Sequence, residues 1–230
     1  MTNEQLLLLL SIALIFLPYG LRKIKIACWR HSLGLKHHQR VFQQLFSDVN
    51  GFALSRAERV KQDALEYVYG EIEFTAYIAL LSLVKPNQET VFYDLGSGVG
   101  KAVIACAMVF PVKKCAGIEL FQSLHQVATL KHQQLTSISG YETQVNIIQF
   151  IQADYLTTDF SDATCIFINA SALFGDTWST LSRRIEDTLS CTTVITTSKP
   201  LKSNAFKTIR KVDVQMSWGV VSAYIQTRLA

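Results

Sequence analysis

Apolar residues along the chain follow two different spacings. Between positions 41 and 83 they recur at helical spacing, which predicts helices over residues 41–69, interrupted at Asn50-Gly51, and a further helix from about Glu71 to Leu83. Beyond position 90, short apolar runs alternate with segments of helical period. The predicted strands are Val91–Leu95, Cys115–Leu120, Val145–Ile151, Thr164–Asn169, Thr193–Thr197, Val212–Ser217 and Val220–Gln226, and the helices between them are Lys101–Met108, Ser123–Leu135 and Thr177–Leu189.

This order of elements predicts an α/β domain. Strand–helix alternation is typical of a mainly parallel sheet with helices on both faces. The last two predicted strands follow each other with no room for a helix, which predicts an antiparallel pair at one edge of the sheet. In such sheets ligands bind at the carboxyl ends of the strands, so residues that follow strands are the first candidates for a site.

The longest apolar run lies at the amino terminus, from Leu6 to Leu21, with Ser11 as a polar exception. A cleaved signal peptide would need positive charge before the run, whereas Glu4 precedes it. A buried core helix would need a polar face, which the consecutive leucines do not provide. We therefore favour a transmembrane anchor over residues 1–21, although the run is slightly shorter than the roughly 20 residues of a spanning helix.

Basic residues concentrate directly after this run. Lysine and arginine occur repeatedly within residues 22–40 with no acid among them, whereas basic and acidic residues nearly balance beyond position 40. This asymmetry predicts a single-pass membrane protein whose main domain, residues 41–230, lies on the cytoplasmic side. The 22–40 segment would lie against anionic lipid headgroups. Because the main domain carries no broad basic excess, no specific nucleic-acid binding is expected.

The cysteines argue against two kinds of site. They are odd in number and form no Cys-x-x-Cys pair, so neither a zinc centre nor a disulfide framework is expected, and no metal site is predicted. Free cysteines are commonly small buried residues, and their presence favours a reducing compartment. The residues concerned are Cys28, Cys106, Cys115, Cys165 and Cys191.

A glycine-rich turn, Gly96-Ser97-Gly98-Val99-Gly100, joins the first predicted strand to the next helix. Glycine permits backbone angles that a side chain forbids and lets the chain approach a ligand closely. The spacing does not fit a dinucleotide fingerprint, whose third glycine position holds Lys101, or a P-loop, whose first glycine position holds Leu95. The turn therefore indicates a ligand site of another kind.

Acidic residues stand at the ends of three successive predicted strands, at Asp94, Glu119 and Asp154. A carboxylate at Glu119 can accept hydrogen bonds from two ribose hydroxyls. Asp154 can accept the amino group of adenine, while Tyr155 packs on the ring. Acids at strand ends can also cap helices, but three of them in this order favour a cofactor that contains a nucleoside.

Further motifs flank the glycine-rich turn, and their order and spacing resemble those of a known family. Residues 60–228 are similar to the catalytic domain of the Disruptor of telomeric silencing family, histone-lysine methyltransferases that use the seven-stranded S-adenosylmethionine fold rather than a SET domain. The resemblance implies a Rossmann-like class I methyltransferase sheet, S-adenosyl-L-methionine as cofactor and a protein lysine, histone included, as methyl acceptor. The motifs are Tyr69-Gly70-Glu71, Asp94 to Gly100, Gly117-Ile118-Glu119, Ala153-Asp154-Tyr155, Asn169, Ser198-Lys199-Pro200 and Ser217-Trp218.

The same resemblance implies roles for individual residues. Tyr69 and Glu71 would belong to a loop that closes over the cofactor, and Glu71 is also a candidate base. Asn169 would line the mouth where the methyl group is presented, and Trp218 and Tyr224 would form the walls of a lysine channel. The residues that would hold the cofactor are Tyr69, Glu71, Asp94, Gly96, Ser97, Gly98, Gly100, Glu119, Asp154 and Tyr155.

The chain departs from the family on the acceptor side. Ile72 stands where a small hydroxyl residue follows Tyr-Gly-Glu, Ala170 where a second asparagine occurs, and Ala223 where one of two paired aromatic residues occurs. Two other functions therefore remain open. One is a methyltransferase for a small or lipid-like molecule at the membrane, and the other is a non-catalytic scaffold that binds S-adenosylmethionine.

Overall fold

The computed structural model describes residues 20–60 and 69–229. The chain divides into one unit that ends at Val41 and a second that begins at Phe42. The first contains helix α1, residues 20–32, and the start of helix α2 (Leu35–Leu45). The second contains the end of α2 and all other elements, and the predicted domain boundary at residue 41 stays a prediction.

The elements of the second unit alternate between strand and helix once the sheet begins. Helices α3 (Gly51–Arg59) and α4 (Phe74–Ser82) precede it. The elements that follow are β1 (Val91–Leu95), α5 (Lys101–Val109), β2 (Lys114–Glu119), α6 (Gln122–Thr136), α7 (Glu142–Asn146), β3 (Ile148–Gln152), β4 (Cys165–Ile168), α8 (Gly175–Asp187), β5 (Thr193–Thr197), β6 (Phe206–Met216) and β7 (Gly219–Arg228).

The strands form one seven-stranded sheet in the order β3-β2-β1-β4-β5-β7-β6. The first five strands pair in parallel, and β7 runs antiparallel to both β5 and β6. The predicted α/β sheet with an antiparallel edge is therefore confirmed. The strand order changes direction between β1 and β4, so a crevice is expected at the carboxyl ends of these two strands.

Helices cover both faces of the sheet. On one face, α8 buries Trp178 in an apolar cluster that includes Ile168 of β4. On the other face, Val103 of α5 lies against Gly117 of β2. Helix α5 is buried from Val103 to Met108, which explains why its sequence is apolar on all sides rather than amphipathic.

Among the elements whose bounds differ from the predicted ones, β6 and α4 share a common reason. Strand β6 begins at Phe206 rather than Val212. The sequence pattern did not indicate its first half, because this half carries exposed charges such as Lys207 and Lys211 instead of alternating apolar residues. Charged side chains on an edge strand discourage pairing with other chains. Helix α4 begins only at Phe74, because Ile72 forms an antiparallel bridge with Met216 of β6. Backbone pairing, which leaves little trace in the sequence, decides both boundaries.

The predicted membrane anchor, residues 1–21, lies outside the described residues except for its last two positions. In the described part of the chain, no helix is long and apolar enough to cross a membrane. Helix α1 instead presents exposed basic side chains, among them Arg22, Lys23 and Lys25. The predicted single-pass location, with the main domain on the cytoplasmic side, therefore has no support from the helices that the structure describes.

Arg228, at the end of β7, caps the carboxyl end of α8. Its guanidinium donates to the carbonyl oxygens of Cys191 at 2.8 Å, Glu186 at 2.9 Å and Thr188 at 2.9 Å. A positive charge at a helix carboxyl terminus also interacts favourably with the helix dipole. We expect Arg228→Ala to lower the free energy of unfolding by about 2 kcal/mol, since several charge-assisted hydrogen bonds are lost together.

Thermal unfolding followed by circular dichroism checks this expectation. For a chain of this size, about 2 kcal/mol corresponds to a fall in Tm of roughly 4–8 °C. Arg210→Ala is the matched control, because Arg210 lies exposed on the neighbouring strand β6. Equal Tm values for the two variants would contradict the capping role.

Candidate functional site

A cavity of about 190 Å³ opens at the carboxyl ends of the central strands. It is bounded by the glycine-rich turn after β1, the residues that follow β2, β3 and β4, helix α4 and the segment that precedes α4. All but three of the predicted site residues line it. Those that do are Tyr69, Glu71, Asp94, Gly96, Ser97, Gly98, Glu119, Asp154, Tyr155 and Asn169.

The glycine-rich turn requires glycine at two positions for steric reasons. Gly98 has a φ of +55°, and a β-carbon there would lie 2.5 Å from the Tyr69 ring. Gly100 has a φ of +83°, and a β-carbon there would lie 2.5 Å from the ring of Phe150. L-residues with side chains rarely adopt such angles. Gly100 does not line the cavity; it lets β3 and α6 pack closely behind the turn.

Glu119 ties the turn to the start of α6. One carboxylate oxygen accepts the Gly98 N–H at 2.8 Å, and the other accepts the Phe121 N–H at 2.8 Å. The side chain is 6% exposed. Burial raises the pKa of Glu119, and these backbone hydrogen bonds oppose the rise. Each oxygen keeps a further lone pair, so the carboxylate can still accept hydrogen bonds from a pair of hydroxyls.

Asp94 is more deeply buried than Glu119. Burial raises its pKa to about 8, and the nearby negative charge of Glu119 adds to the rise. The buried hydroxyl of Tyr77, on α4, also borders the cavity and has no hydrogen-bond partner within residues 20–60 and 69–229. A ligand that brings positive charge stabilises the ionised form of such a buried carboxyl group.

Ser97 provides a second unsatisfied group at the cavity. Its hydroxyl oxygen is buried without a hydrogen-bond partner among the described residues. Buried polar groups are nearly always hydrogen-bonded, so this hydroxyl fits a ligand with polar atoms. The lining also carries four carboxyl groups, those of Glu71, Asp94, Glu119 and Asp154, against one basic side chain. The cavity therefore suits a ligand with hydroxyl groups and a net positive charge.

Asp154 has a local role as well as its place at the cavity. Its side-chain oxygen accepts the Leu156 N–H at 2.7 Å, which fixes the turn after β3. Tyr155 lies beside Gly96, and a β-carbon at Gly96 would be 3.9 Å from the Tyr155 ring. The turn thus holds an acid and an aromatic ring side by side at the rim.

The segment before α4 closes one side of the cavity. The Tyr69 hydroxyl donates to Glu71 Oε1 at 2.7 Å, and Lys101 Nζ donates to Glu71 Oε2 at 2.6 Å. Burial, together with the Glu71 carboxylate, raises the pKa of Tyr69 well above its usual value, so its hydroxyl stays protonated and donates. Both carboxylate oxygens of Glu71 are engaged, which leaves it poorly suited to act as a base.

Asn169 joins three parts of the site. Its Oδ1 accepts the hydroxyls of Ser171 at 2.8 Å and Thr197 at 2.7 Å, and its Nδ2 donates to the Gly70 carbonyl at 3.2 Å. Because a carbonyl can only accept, the Gly70 contact fixes which way the amide points. Asn169 therefore connects the ends of β4 and β5 to the segment before α4.

The structure separates Trp218 from Tyr224. Trp218 is 46% exposed, and its ring lies against Gly70, next to the cavity rather than in its lining. Tyr224 does not line the cavity. It pairs with Thr196 of β5, which in turn pairs with Ile168, and such neighbours share one face of a sheet. Ile168 belongs to the cluster under α8, so Tyr224 lies on the face opposite Phe167, which borders the cavity.

Residues that the sequence did not single out complete the lining. Lys101 is the basic one, and its place directly after the glycine-rich turn was the available signal that it lies beside the cavity. The apolar residues Ile72, Leu173 and Met216 are contributed by separate elements. No sequence spacing brings Ile72 and Met216 together, because they meet through a backbone bridge.

Residues 56–226 match the family described as Histone methylation protein DOT1. The chain belongs to this family. The match covers the segment before α4, the glycine-rich turn and all seven strands but for the last two residues of β7. The family resemblance seen in the sequence is confirmed, and the predicted enzyme class, a methyltransferase that uses S-adenosylmethionine, agrees with it.

Two curated relatives carry the same name, "Histone-lysine N-methyltransferase, H3 lysine-79 specific". The protein from Drosophila melanogaster is 31% identical over 115 residues, which cover 48% of this chain and 6% of the relative. The protein from Caenorhabditis elegans is 30% identical over 142 residues, which cover 59% of this chain and 15% of the relative. The chain thus spans a small fraction of these relatives. These relatives are named for a histone substrate, which contradicts the predicted single-pass membrane location with the main domain on the cytoplasmic side.

Solved structures show the same fold. An RNA methyltransferase from Salinibacter ruber, in complex with S-adenosyl-L-homocysteine, superposes with a TM-score of 0.53 at 23% identity. The superposition covers 67% of this chain and 90% of that protein. The predicted Rossmann-like methyltransferase sheet is confirmed by this likeness, which concerns the fold alone.

Proposed function

We propose that this chain, through a domain of residues 41–230, transfers a methyl group from S-adenosyl-L-methionine to the side-chain amine of a lysine in a protein. The observation that carries the proposal is the convergence of Glu71, Asp94, Glu119 and Asp154 on one cavity beside the glycine-rich turn. Membership in a family described by histone methylation supports a protein acceptor. Histone H3 is the first acceptor to test, because the two curated relatives are named for it.

The charge of the cavity supports the choice of cofactor. S-adenosylmethionine carries a sulfonium and an ammonium group against one carboxylate, and when bound it supplies an activated methyl group. The chain's part is to bind and orient. Glu119 would accept the ribose hydroxyls, Asp154 the adenine amino group, and Ser97 would hydrogen-bond a polar atom near the turn. Tyr155 would pack against the base at the rim.

The acceptor side would work through desolvation. A lysine amine has an ordinary pKa of about 10.4 and must lose its proton before it attacks. An apolar wall disfavours the ammonium form and lowers that pKa. Ile72, Leu173 and Met216 line this part of the cavity, and Trp218 stands at its edge against Gly70. These side chains would exclude water and hold the amine in line with the reacting carbon, an alignment that accounts for several kcal/mol of a barrier.

Asn169 and Tyr224 take different parts in this proposal from those first expected. The Oδ1 of Asn169 is already occupied by two hydroxyl donors, so Asn169 would act by positioning Gly70 rather than by holding the lysine. Tyr224 lies on the other face of the sheet from Phe167 and would stabilise the sheet edge, where Lys211 Nζ lies 5.6 Å from its ring centroid.

Methyl transfer from radiolabelled S-adenosylmethionine tests the function directly. The full chain is incubated in parallel with nucleosomes, free histone H3, a mixed protein extract and a lipid extract. We expect label in protein, located on lysine by mass spectrometry, and its loss in the Glu119→Gln variant. Label in lipid alone would overturn the proposal, and binding of the cofactor without any transfer would favour a non-catalytic role.

A further inference from the structure

Lys101 is the first residue of α5, directly after the glycine-rich turn. Its Nζ lies 2.6 Å from Glu71 Oε2, and the two side chains are 24% and 18% exposed. Among the described residues that line the cavity, it is the basic one beside four carboxyl groups. The pair is therefore partly shielded from water, where an ion pair is screened less than on an open surface.

The pair connects two segments that are distant in sequence. Glu71 also accepts the Tyr69 hydroxyl, and the Tyr69 ring packs on Gly98 of the turn. Phe52 of α3 stacks edge-on against the Tyr69 ring, with centroids 5.3 Å apart. The Lys101–Glu71 contact thus fastens the segment Tyr69–Glu73 to the start of α5, directly over the glycine-rich turn.

The other side of the same segment is fastened to strand β6. Ser217 N–H donates to the Glu71 carbonyl at 2.8 Å, and Glu73 N–H donates to the Gln215 carbonyl at 3.2 Å. The bridge between Ile72 and Met216 lies between these two contacts. One short segment therefore connects the cofactor side of the cavity to strand β6, whose Met216 lines the side proposed for the methyl acceptor.

We propose that Lys101 is a positioning residue whose ion pair with Glu71 holds the segment Tyr69–Glu73 closed over the glycine-rich turn. The proposal rests on the proposed function, because it takes the cavity to be the cofactor site. Without the Lys101 charge, the Glu71 carboxylate would share the cavity with the Glu119 carboxylate and have no cation beside it. Repulsion between like charges would then favour an open segment.

A double-mutant cycle on the full chain tests the proposal. The variants are Lys101→Met, Glu71→Gln, their combination, and Lys101→Arg, which keeps the positive charge. Lys113→Met is the control, because Lys113 is exposed and does not line the cavity. Affinity for S-adenosylmethionine is measured by calorimetry, and hydrogen exchange of the Glu71 and Glu73 amides is measured in the free protein.

We expect Lys101→Met to weaken binding by about tenfold and to speed exchange at both amides, while Tm changes by less than about 2 °C, since one partly exposed pair contributes little to global stability. Lys101→Arg should retain most of the affinity. In the Glu71→Gln background, Lys101→Met should have little further effect, because the two residues act as one unit.

Two results would overturn the proposal. The first is unchanged exchange of the Glu71 and Glu73 amides in Lys101→Met. The second is an equal loss of affinity in the presence and absence of Glu71, which would mean that Lys101 contacts the cofactor itself. If the wild-type chain binds no S-adenosylmethionine, the proposed function fails, and the exchange measurements in the free protein still decide whether the ion pair holds the segment.

Discussion

Replacing Glu119 with glutamine should weaken S-adenosylmethionine binding at least about 100-fold while the protein stays folded. The carboxylate accepts the Gly98 and Phe121 N–H groups, one on each oxygen. Glutamine has one acceptor oxygen, so its amide nitrogen would face an N–H donor and displace either the glycine-rich turn or the start of α6. In the complex, the charged carboxylate would also accept two hydrogen bonds from the ribose hydroxyls, which contribute about 1.5–3 kcal/mol each and account for a loss of this size.

The fold should survive the change because the charge itself is costly in the free protein. Burial raises the pKa of Glu119, which means that its ionised form is disfavoured there. Glutamine removes that cost, and this partly offsets the lost hydrogen bonds. Calorimetry for affinity and circular dichroism for Tm separate the two effects.

Glu142→Gln is the matched control for this experiment. Glu142 also accepts a backbone N–H, that of Gly140, through its carboxylate, but it is exposed and does not line the cavity. Its replacement should leave cofactor affinity unchanged. If Glu119→Gln retained an affinity within about fivefold of the wild type, the assignment of the cavity as cofactor site would be wrong.

The sequence was most informative where residues follow the strands. Asp94, Glu119 and Asp154 each come directly after or at the end of a parallel strand, and parallel strands bring their carboxyl ends to one edge. Their convergence therefore depends only on the strand assignment. Strand β1 is buried along its whole length, and its residues are apolar except for Asp94, so the pattern predicted its bounds without error.

Contacts between elements of distant sequence position were beyond such reasoning. Glu71 and Lys101 are a charged pair whose separation in sequence says nothing about distance, and the bridge between Ile72 and Met216 forms through the backbone alone. Tyr224 differs from these examples, because its strand was predicted but the face of the sheet on which its side chain lies was not. A shift of one position along a strand moves a side chain to the other face, and Ala223 rather than Tyr224 pairs with Thr197, which bonds Asn169.

The pH dependence of cofactor affinity should identify Asp94 as the group that titrates in the cavity. Burial and the charge of Glu119 raise the pKa of Asp94 to about 8. The hydroxyl of Tyr77 and the thiol of Cys106 also face it, and both have raised pKa values and stay neutral. In the free protein near pH 7, Asp94 therefore holds its proton in most molecules.

The direction of the pH effect on affinity depends on how the ligand-free and ligand-bound proteins hold the Asp94 proton. A cationic ligand favours the ionised carboxylate, so binding releases a proton and affinity rises with pH until about pH 8, by at most about tenfold per unit. Stability of the free protein changes in the opposite sense. The folded state binds the Asp94 proton more tightly than the unfolded chain, so this contribution is fully present below about pH 4 and is lost as pH rises through about 8.

Calorimetry at about pH 6, 7, 8 and 9 measures this linkage, with Asp94→Asn as the reference because the ligand's own amino group titrates near pH 8. Asparagine cannot ionise, so both proteins share the ligand's pH dependence and differ only through Asp94. We expect the wild-type affinity to gain on the variant by about tenfold or more between pH 6 and pH 8 and then to level off. Between about pH 6 and pH 8, the Tm of the ligand-free wild type should fall, whereas the Tm of ligand-free Asp94→Asn should not fall in this way. A constant ratio of affinities from pH 6 to pH 9 would mean that Asp94 does not change its protonation when the cofactor binds, and that the positive charge of the ligand lies elsewhere in the cavity.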